Sequence, residues 1–278
     1  MIVDTHVHVV SDDLVRYPKR EGAYTWPALT TEDLLATMDT CGIDRALLVQ
    51  AFFTYGNDNS YAVDAALAHP ERFLAVCVID QLADDAPDVL TDLVENKGVR
   101  GLRLMGTKRP GILNNPKTFP LWKRAAALGI PVCVAAELPE IPDALDVIGR
   151  FPNVPVALEH MWGLELGDPP YQHIRPVLAA ARLPNVTLKL APNNSFAARV
   201  GAATPQSFFG LLADNFAPQR MMWGSNYPAH WDKYGKIPER LSIMQEDLAF
   251  LGAEWNRWFF GDTALTFWPA LKSAPASH

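Results

Sequence analysis

Eight short, apolar, β-branched runs recur along the 278 residues, and their spacing constrains the fold more than any other feature. They are Ile2–Val7, Ala46–Ala51, Phe73–Ile79, Val99–Met105, Pro131–Ala136, Pro155–His160, Val186–Leu190 and Arg220–Gly224. Their hydrophobicity is near-continuous rather than alternating, which is what strands covered on both faces require. Stretches of helical period separate them: Thr31–Thr40, Ser60–Ala68, Asp85–Asn96, Phe119–Leu128, Pro139–Arg150, Gln172–Ala181, Thr204–Phe216 and Ile237–Leu251. In Ser60–Ala68 the side chains of Val63, Ala66 and Leu67 share one face at helical spacing. Thr204-Pro205 reads as a cap followed by proline at the first helical position. Gly42, Gly98 and Gly129 read as left-handed helix ends placed just before strands. Eight strand–helix units predict an α/β chain folded as a single-domain (β/α)8 TIM barrel over residues 1–278, with a tail frayed from about residue 272. The rival arrangement is an open doubly wound sheet, which usually carries a Gly-rich phosphate loop after its first strand. Here that position holds His-Val-His and no glycine.

Composition narrows the class. Apolar residues make up 49% and charged residues 20%, enough apolar material for a full core. Lys plus Arg number 24 against 31 Asp plus Glu, giving a net charge of −7, so neither nucleic acid nor an anionic membrane surface is an expected partner. No apolar run reaches the ~20 residues that span a bilayer. The first residues lack the basic and apolar regions of an export signal. Three scattered cysteines, Cys41, Cys77 and Cys133, read as buried thiols in a reducing compartment, so a cytoplasmic enzyme or binding protein is expected.

In a barrel the site lies at the C-terminal ends of the strands. The first strand ends in Asp4-Thr5-His6-Val7-His8, and residues two apart on a strand point to one side. His6 and His8 side by side suit a divalent metal or a polarised carbonyl oxygen, or else are two structural histidines. The sixth strand ends in Glu159-His160, followed by Met161-Trp162-Gly163, and His160 reads either as structural or as a third site imidazole. Arg103 lies between leucines on the fourth strand and must find an anion, because a guanidinium does not shed its proton. That anion is either a core carboxylate in a structural ion pair or a substrate carboxylate held bidentately. Lys189, between Leu188 and Leu190, poses the same choice. Gly224-Ser225-Asn226-Tyr227-Pro228 is a turn that brings Asn226 and Tyr227 toward the barrel mouth. Gln50 and Tyr55 offer donors to a ligand or tie down the loop Tyr55–Asn59, in which Asn59 reads as a helix cap. The aromatics Tyr24, Trp26, Phe52, Phe53, Trp162, Tyr227 and Trp231 fall near strand ends, where they form a wall for a flat ring or ordinary loop packing.

Taken in order, Asp-Thr-His-Val-His, Gln50 with its Tyr-Gly-Asn-Asp-Asn loop, Gly-Leu-Arg-Leu, Glu-His-Met-Trp-Gly, Asn-Val-Thr-Leu-Lys-Leu and Gly-Ser-Asn-Tyr-Pro resemble the amidohydrolase-related TIM-barrel hydrolases. The branch they resemble includes 2-pyrone-4,6-dicarboxylate lactonase and the sugar-acid lactonases, and the likeness covers nearly the whole chain. It implies hydrolysis of the ester bond of a small carboxylated lactone, with an arginine on the strand of Arg103 meeting a substrate carboxylate. Two positions depart from the family pattern. Asn226 stands where relatives usually carry an aspartate that binds metal and activates water, and an amide is a poor base and a poor zinc ligand. The fifth strand reads Cys133-Val134-Ala135-Ala136, without the histidine of many metal-dependent relatives.

The candidate catalytic set is therefore His6, His8, His160 and Asn226. The candidate substrate-binding set is Arg103, Lys189, Gln50, Tyr55, Trp162 and Tyr227. A divalent metal, zinc or manganese, on His6, His8 and His160 and a metal-free site are both open. Glu137, His230 and Asp232 are the candidate bases. Decarboxylation or lactone isomerisation at the same site is the alternative chemistry, since either needs a proton delivered to carbon rather than an activated water. A binding protein without turnover is the third reading.

Overall fold

The computed structural model describes residues 1–24, 26–107, 109–162 and 164–273. Its eight strands are β1 (Val3–Val7), β2 (Arg45–Val49), β3 (Phe73–Val78), β4 (Leu102–Met105), β5 (Val132–Glu137), β6 (Val156–Trp162), β7 (Val186–Leu190) and β8 (Met221–Trp223). Each pairs in parallel with the next in chain order. Val7 bridges Tyr227 just past β8, which brings the first and last strands together and makes the sheet a barrel rather than an open layer. All eight apolar runs are strands, and Val186–Leu190 matches residue for residue.

The helices between them form as their sequences direct. Thr204 caps Pro205–Asn215 by accepting from the Ser207 N–H, satisfying an amide that the first turn leaves without a partner. Gly42 and Gly129 end their helices at φ 67° and 65°, a conformation that costs a side-chain-bearing residue. The segment Gln172–Ala181 is not one helix. It runs as three successive helical pieces, Gln172–Ile174, Arg175–Ala179 and Ala180–Arg182, and Pro176, which has no N–H to give to the turn before it, falls just past the first junction.

The largest difference from expectation lies beyond Leu251. Helical turns continue through Ala253–Arg257, Trp258–Asp262, Thr263–Phe267 and Ala270–Ser273. Trp268 and Leu271 from this run pack with Val3, Leu47, Val49, Val76, Cys133, Ala157 and Met222 from the strands, closing the end of the barrel away from the site. Lys272 and Ser273 thus belong to a helix, and residues 274–278 of the expected tail lie outside the described residues. No described helix is long and apolar enough to cross a membrane.

Cys77 and Cys133 are buried and Cys41 is half-buried. Burial pushes the thiols of Cys77 and Cys133 up to about 12, so neither forms thiolate near neutrality. Iodoacetamide at pH 8 is expected to label at most Cys41 in the folded protein and all three thiols in denaturant, read by intact-mass spectrometry. Labelling of two or more thiols under native conditions would contradict this packing.

Candidate active site

The centre of the barrel is ionic. Glu159, wholly buried on β6, accepts a hydrogen bond of 2.7 Å from Arg103 Nε and one of 3.1 Å from Lys189 Nζ, while His6 Nδ1 lies 3.1 Å from its Oε1. The strand register explains the convergence. Glu159 sits directly opposite Lys189 on β7 and Ala135 on β5, two residues on from Cys133, which is itself opposite Arg103 on β4. Burial alone would raise the Glu159 carboxyl, but Arg103, His6 and Lys189 around it hold it well below the usual carboxylate range. Lys189 also donates to Cys133 Sγ at 3.3 Å. Arg103, through Nε, and Lys189 both pair with Glu159, and both are at most 2% exposed.

The three imidazoles gather around this carboxylate. The rings of His6 and His160 lie 4.3 Å apart and those of His6 and His8 4.8 Å apart. His160 sits at a left-handed φ of 54°, two residues before the end of β6, and its carbonyl accepts from Asn193 Nδ2 at 2.8 Å and Asn194 Nδ2 at 2.9 Å. Burial keeps all three rings neutral, His6 and His160 well below the ordinary histidine range and His8 at about 3. Among the described residues, the metal-type donors lying mutually within 4.8 Å are His6, Glu159 and His160, with His8 reaching the group through His6.

Tautomers decide what these rings can hold. His8 Nδ1 faces the Val49 carbonyl at 2.7 Å and therefore carries its proton, leaving Nε2 a bare lone pair. His6 Nδ1, donating to ionised Glu159, is in the same state. The two Nε2 atoms then face each other at 3.2 Å. Two lone pairs at that distance repel unless a proton or a metal ion lies between them, and burial disfavours the proton. The donor set therefore fits a divalent cation, with Val49 and Glu159 orienting its ligands from behind.

Asn226 lies at φ 53°, a left-handed conformation that Asn tolerates. Its N–H donates to the His6 carbonyl at 2.7 Å, and the Tyr227 carbonyl accepts from the His8 N–H at 2.9 Å. Its side chain lies near enough to His8 to favour the charged ring, yet among the described residues Oδ1 finds no hydrogen-bond partner of ordinary geometry. Gly224 allows this approach, because a Cβ there would lie 2.7 Å from His6 Cβ and 3.0 Å from the His6 nitrogen. Arg240 holds the loop from outside. Its guanidinium donates to the carbonyls of Ser225, Ala229 and Gly235 at 2.8–3.0 Å and lies over the Tyr227 ring.

The remaining sequence candidates divide. Gln50 donates to the carbonyls of Gly56 and Asp58, and the Tyr55 hydroxyl accepts from the Ser11 N–H, so both tie loops together. Asn59 does not cap its helix. Its amide pairs with both main-chain groups of Val78, clamping the loop to β3, and Asp58 accepts the Ser60 N–H instead. The Trp162 side chain lies outside the described residues.

Above the imidazoles opens a cavity of about 470 Å³, within the size range of small-molecule sites. Tyr24, Trp26, Phe52 and Phe53 wall it, and its polar lining is Thr107, Arg109, Glu137 and His230. Trp26 stacks on His8 at 5.0 Å and so separates the cavity from the ring beneath. Arg109 lies over the Phe52 ring at 5.8 Å, and no ion pair among the described residues involves it. Of the three candidate bases, Glu137 and His230 line the cavity. Asp232 is exposed on the short helix Trp231–Tyr234 and does not. The sequence singled out neither Arg109 nor Glu159. A cue for Glu159 was present, since two cations in apolar strands demand an anion.

A parallel barrel whose strand ends gather imidazoles and a carboxylate under an aromatic cavity is an enzyme of the (β/α)8 class. More particularly, the chain belongs to the amidohydrolase family, whose model matches residues 3–270. It is 26% identical over 233 residues to a 4-sulfomuconolactone hydrolase of Rhizobium radiobacter, covering 81% of this chain and 75% of that one. In fold it is similar to a probable 2-pyrone-4,6-dicarboxylic acid hydrolase of Acinetobacter baumannii with citric acid bound, with a TM-score of 0.79 and 16% identity over 96% of this chain and 99% of that one. It is also similar in fold to a 5-carboxyvanillate decarboxylase of Sphingomonas paucimobilis, with a TM-score of 0.68 and 14% identity over 96% and 98% of the two chains.

Two measurements test this site. Glu159→Gln strands two buried cations and is expected to cost about 3–5 kcal/mol in denaturant unfolding. Lys189→Met leaves Glu159 paired with Arg103 and should cost less; the reverse order would remove Glu159 from its central place. Protein prepared without chelator is expected to carry about one equivalent of zinc or manganese by plasma emission, lost in His8→Ala. A content near zero would return the His6–His8 contact to a shared proton.

Proposed function

We propose that the protein hydrolyses the C–O ester bond of a small carboxylated lactone. The observation that carries this reading is one cavity combining a flat aromatic slot, a carboxylate and a guanidinium that no ion pair among the described residues involves, with Trp26 of its wall stacked on His8 of the histidine cluster. A planar unsaturated lactone matches the walls formed by Trp26, Phe52 and Phe53. Arg109 serves as the anchor for the substrate carboxylate, the role expected of Arg103 from the sequence, because Arg103 is committed to Glu159. Glu137, which lines the same cavity, serves as the base that takes a proton from the attacking water. The proton that Glu137 takes passes on to the leaving oxygen, and His230, which lines the same cavity, is the hydrogen-bonding partner of that oxygen. The Asn226 amide offers a neutral hydrogen bond beside the reacting carbonyl in place of a carboxylate. A divalent ion on His6, His8 and His160 would supply Lewis-acid polarisation of that carbonyl when bound. The lactone-hydrolase relative supports the same class of reaction.

Decarboxylation is the second reading, and one observation favours it: position 226 carries an amide where water activation calls for a carboxylate. Reaction in ¹⁸O-enriched water separates the two, because only hydrolysis places solvent oxygen in the product.

Arg109→Met is expected to raise KM for a carboxylated lactone at least tenfold with a smaller change in kcat. An unchanged KM, or release of CO2 without incorporation of solvent oxygen, would overturn the proposal.

A further inference from the structure

Glu159 and His160 break the alternation of a strand. Successive side chains on a regular strand point to opposite faces. Yet Glu159 Oε1 lies 3.1 Å from His6 Nδ1, and the His160 ring lies 4.3 Å from the ring of the same residue. Two neighbours therefore project into one centre. The backbone of β6 makes this possible by inserting a residue. Glu159 is opposite Ala135 and Trp162 is opposite Glu137, so His160 and Met161 together face the single residue Ala136. That is a β-bulge, a device that re-aims a side chain.

His160 and Met161 both lie in left-handed backbone, at φ 54° and 46°. For a residue with a Cβ this region is sparsely populated, and it persists only where the surroundings impose it. The imposing groups come from the neighbouring strand. β7 pairs with β6, and the chain leaving β7 enters the short helix Pro192–Ala197. Its first turn carries Asn193 and Asn194, whose Nδ2 atoms donate to the His160 carbonyl at 2.8 and 2.9 Å. Two donors fill both lone pairs of that oxygen. The carbonyl belongs to the peptide plane between the two left-handed residues, so the amides clamp the bulge at its centre. Asn194 is itself fixed, because it is wholly buried and its Oδ1 accepts the Ala191 N–H at 2.9 Å. Asn193 is half-buried.

We infer that Asn193 and Asn194 are the positioning pair for His160: they hold the strained bulge that turns its ring toward His6. Glu159 and Val49 orient His6 and His8 through their ring nitrogens, whereas His160 is aimed through its main chain. Each imidazole of the cluster then has its own orienting partner, as metal-binding or carbonyl-polarising rings require. The inference rests on the lactonase reading only in taking the histidine cluster as the working centre, and it needs no particular ester.

The test compares Asn193→Ala and Asn194→Ala with Asn185→Ala. Asn185 is the control, because its Nδ2 also donates to two carbonyls, those of Phe151 and Val154, but just before β7, at the opposite end of the barrel. Zinc affinity of metal-stripped protein is read by competition with a chromogenic chelator. The histidine rings are read by long-range ¹H–¹⁵N NMR of the zinc-free protein, with His160→Gln assigning the His160 signals. Each site variant is expected to weaken zinc binding about tenfold or more and to displace the His160 ring signals. Asn185→Ala is expected to lose stability in denaturant and to leave both readouts at their wild-type values. Unmoved His160 signals in Asn193→Ala and Asn194→Ala, whatever their stability, would reduce the pair to ordinary loop bonds and overturn the inference. Asn193→Ala, at the half-buried position, decides alone if Asn194→Ala does not fold. The ring signals decide alone if the wild type takes up no zinc. Neither readout uses a substrate, so absence of lactone turnover overturns the lactonase reading and leaves this test intact.

Discussion

The rest of the site depends on one buried carboxylate. Taking an ion out of water costs several kcal/mol, and Glu159 recovers that only because two cations and an imidazole reach it at 2.7–3.1 Å. Arg103 and Lys189 are equally dependent, since each lies in an apolar strand with no other carboxylate within ion-pair reach among the described residues. The group is rigid because each strand contributing to it is fixed in register by its neighbours. Its chemical consequence is the orientation of His6. An ionised acceptor at Nδ1 fixes the tautomer and turns Nε2 toward His8, whose own Nδ1 is held by Val49 in the same sense. The fold thereby specifies the protonation state of the pair.

Beyond that arrangement lies a second layer of charged groups. Arg103 and Lys189 both reach Glu159, so two cations share one carboxylate in the barrel interior. Past that centre, Glu137 at the end of β5 and Arg109 in the loop after β4 line the aromatic cavity. The division is economical. The inner layer holds neutral nitrogen donors and a fixed field, and the outer layer combines aromatic walls with a guanidinium and a carboxylate. Loops change more readily than barrel strands, so substrate choice in such a protein can alter without disturbing the ionic centre.

The strands were legible because a doubly covered strand must be apolar along its length, and that pattern is local. The final helices were not legible, because Trp268 and Leu271 are ordinary apolar residues until the barrel end they cover is known. The site divides in the same way. That Arg103 and Lys189 needed an anion could be read from their leucine neighbours. That both share Glu159 could not, because the partners are 56 and 30 residues away and meet only through strand register. Asn59 shows the converse limit. A residue before a helix has a local role available, but Val78 on β3 offered two main-chain bonds against the single bond of a cap.

The loop after β8 shows how the amide at position 226 fits this scheme. Asn226 occupies a left-handed conformation, and its main chain is bonded to His6 while that of Tyr227 is bonded to His8, so this backbone is needed whatever side chain it carries. Arg240 fixes the loop through three carbonyls rather than through a carboxylate, and its burial lowers its own pKa to about 10. An aspartate at 226 would add a negative charge beside His8, within a centre where Glu159 already balances the nearest cation. The amide keeps the geometry without that charge, and the carboxylate of Glu137 stands instead in the outer cavity, away from the buried ionic centre.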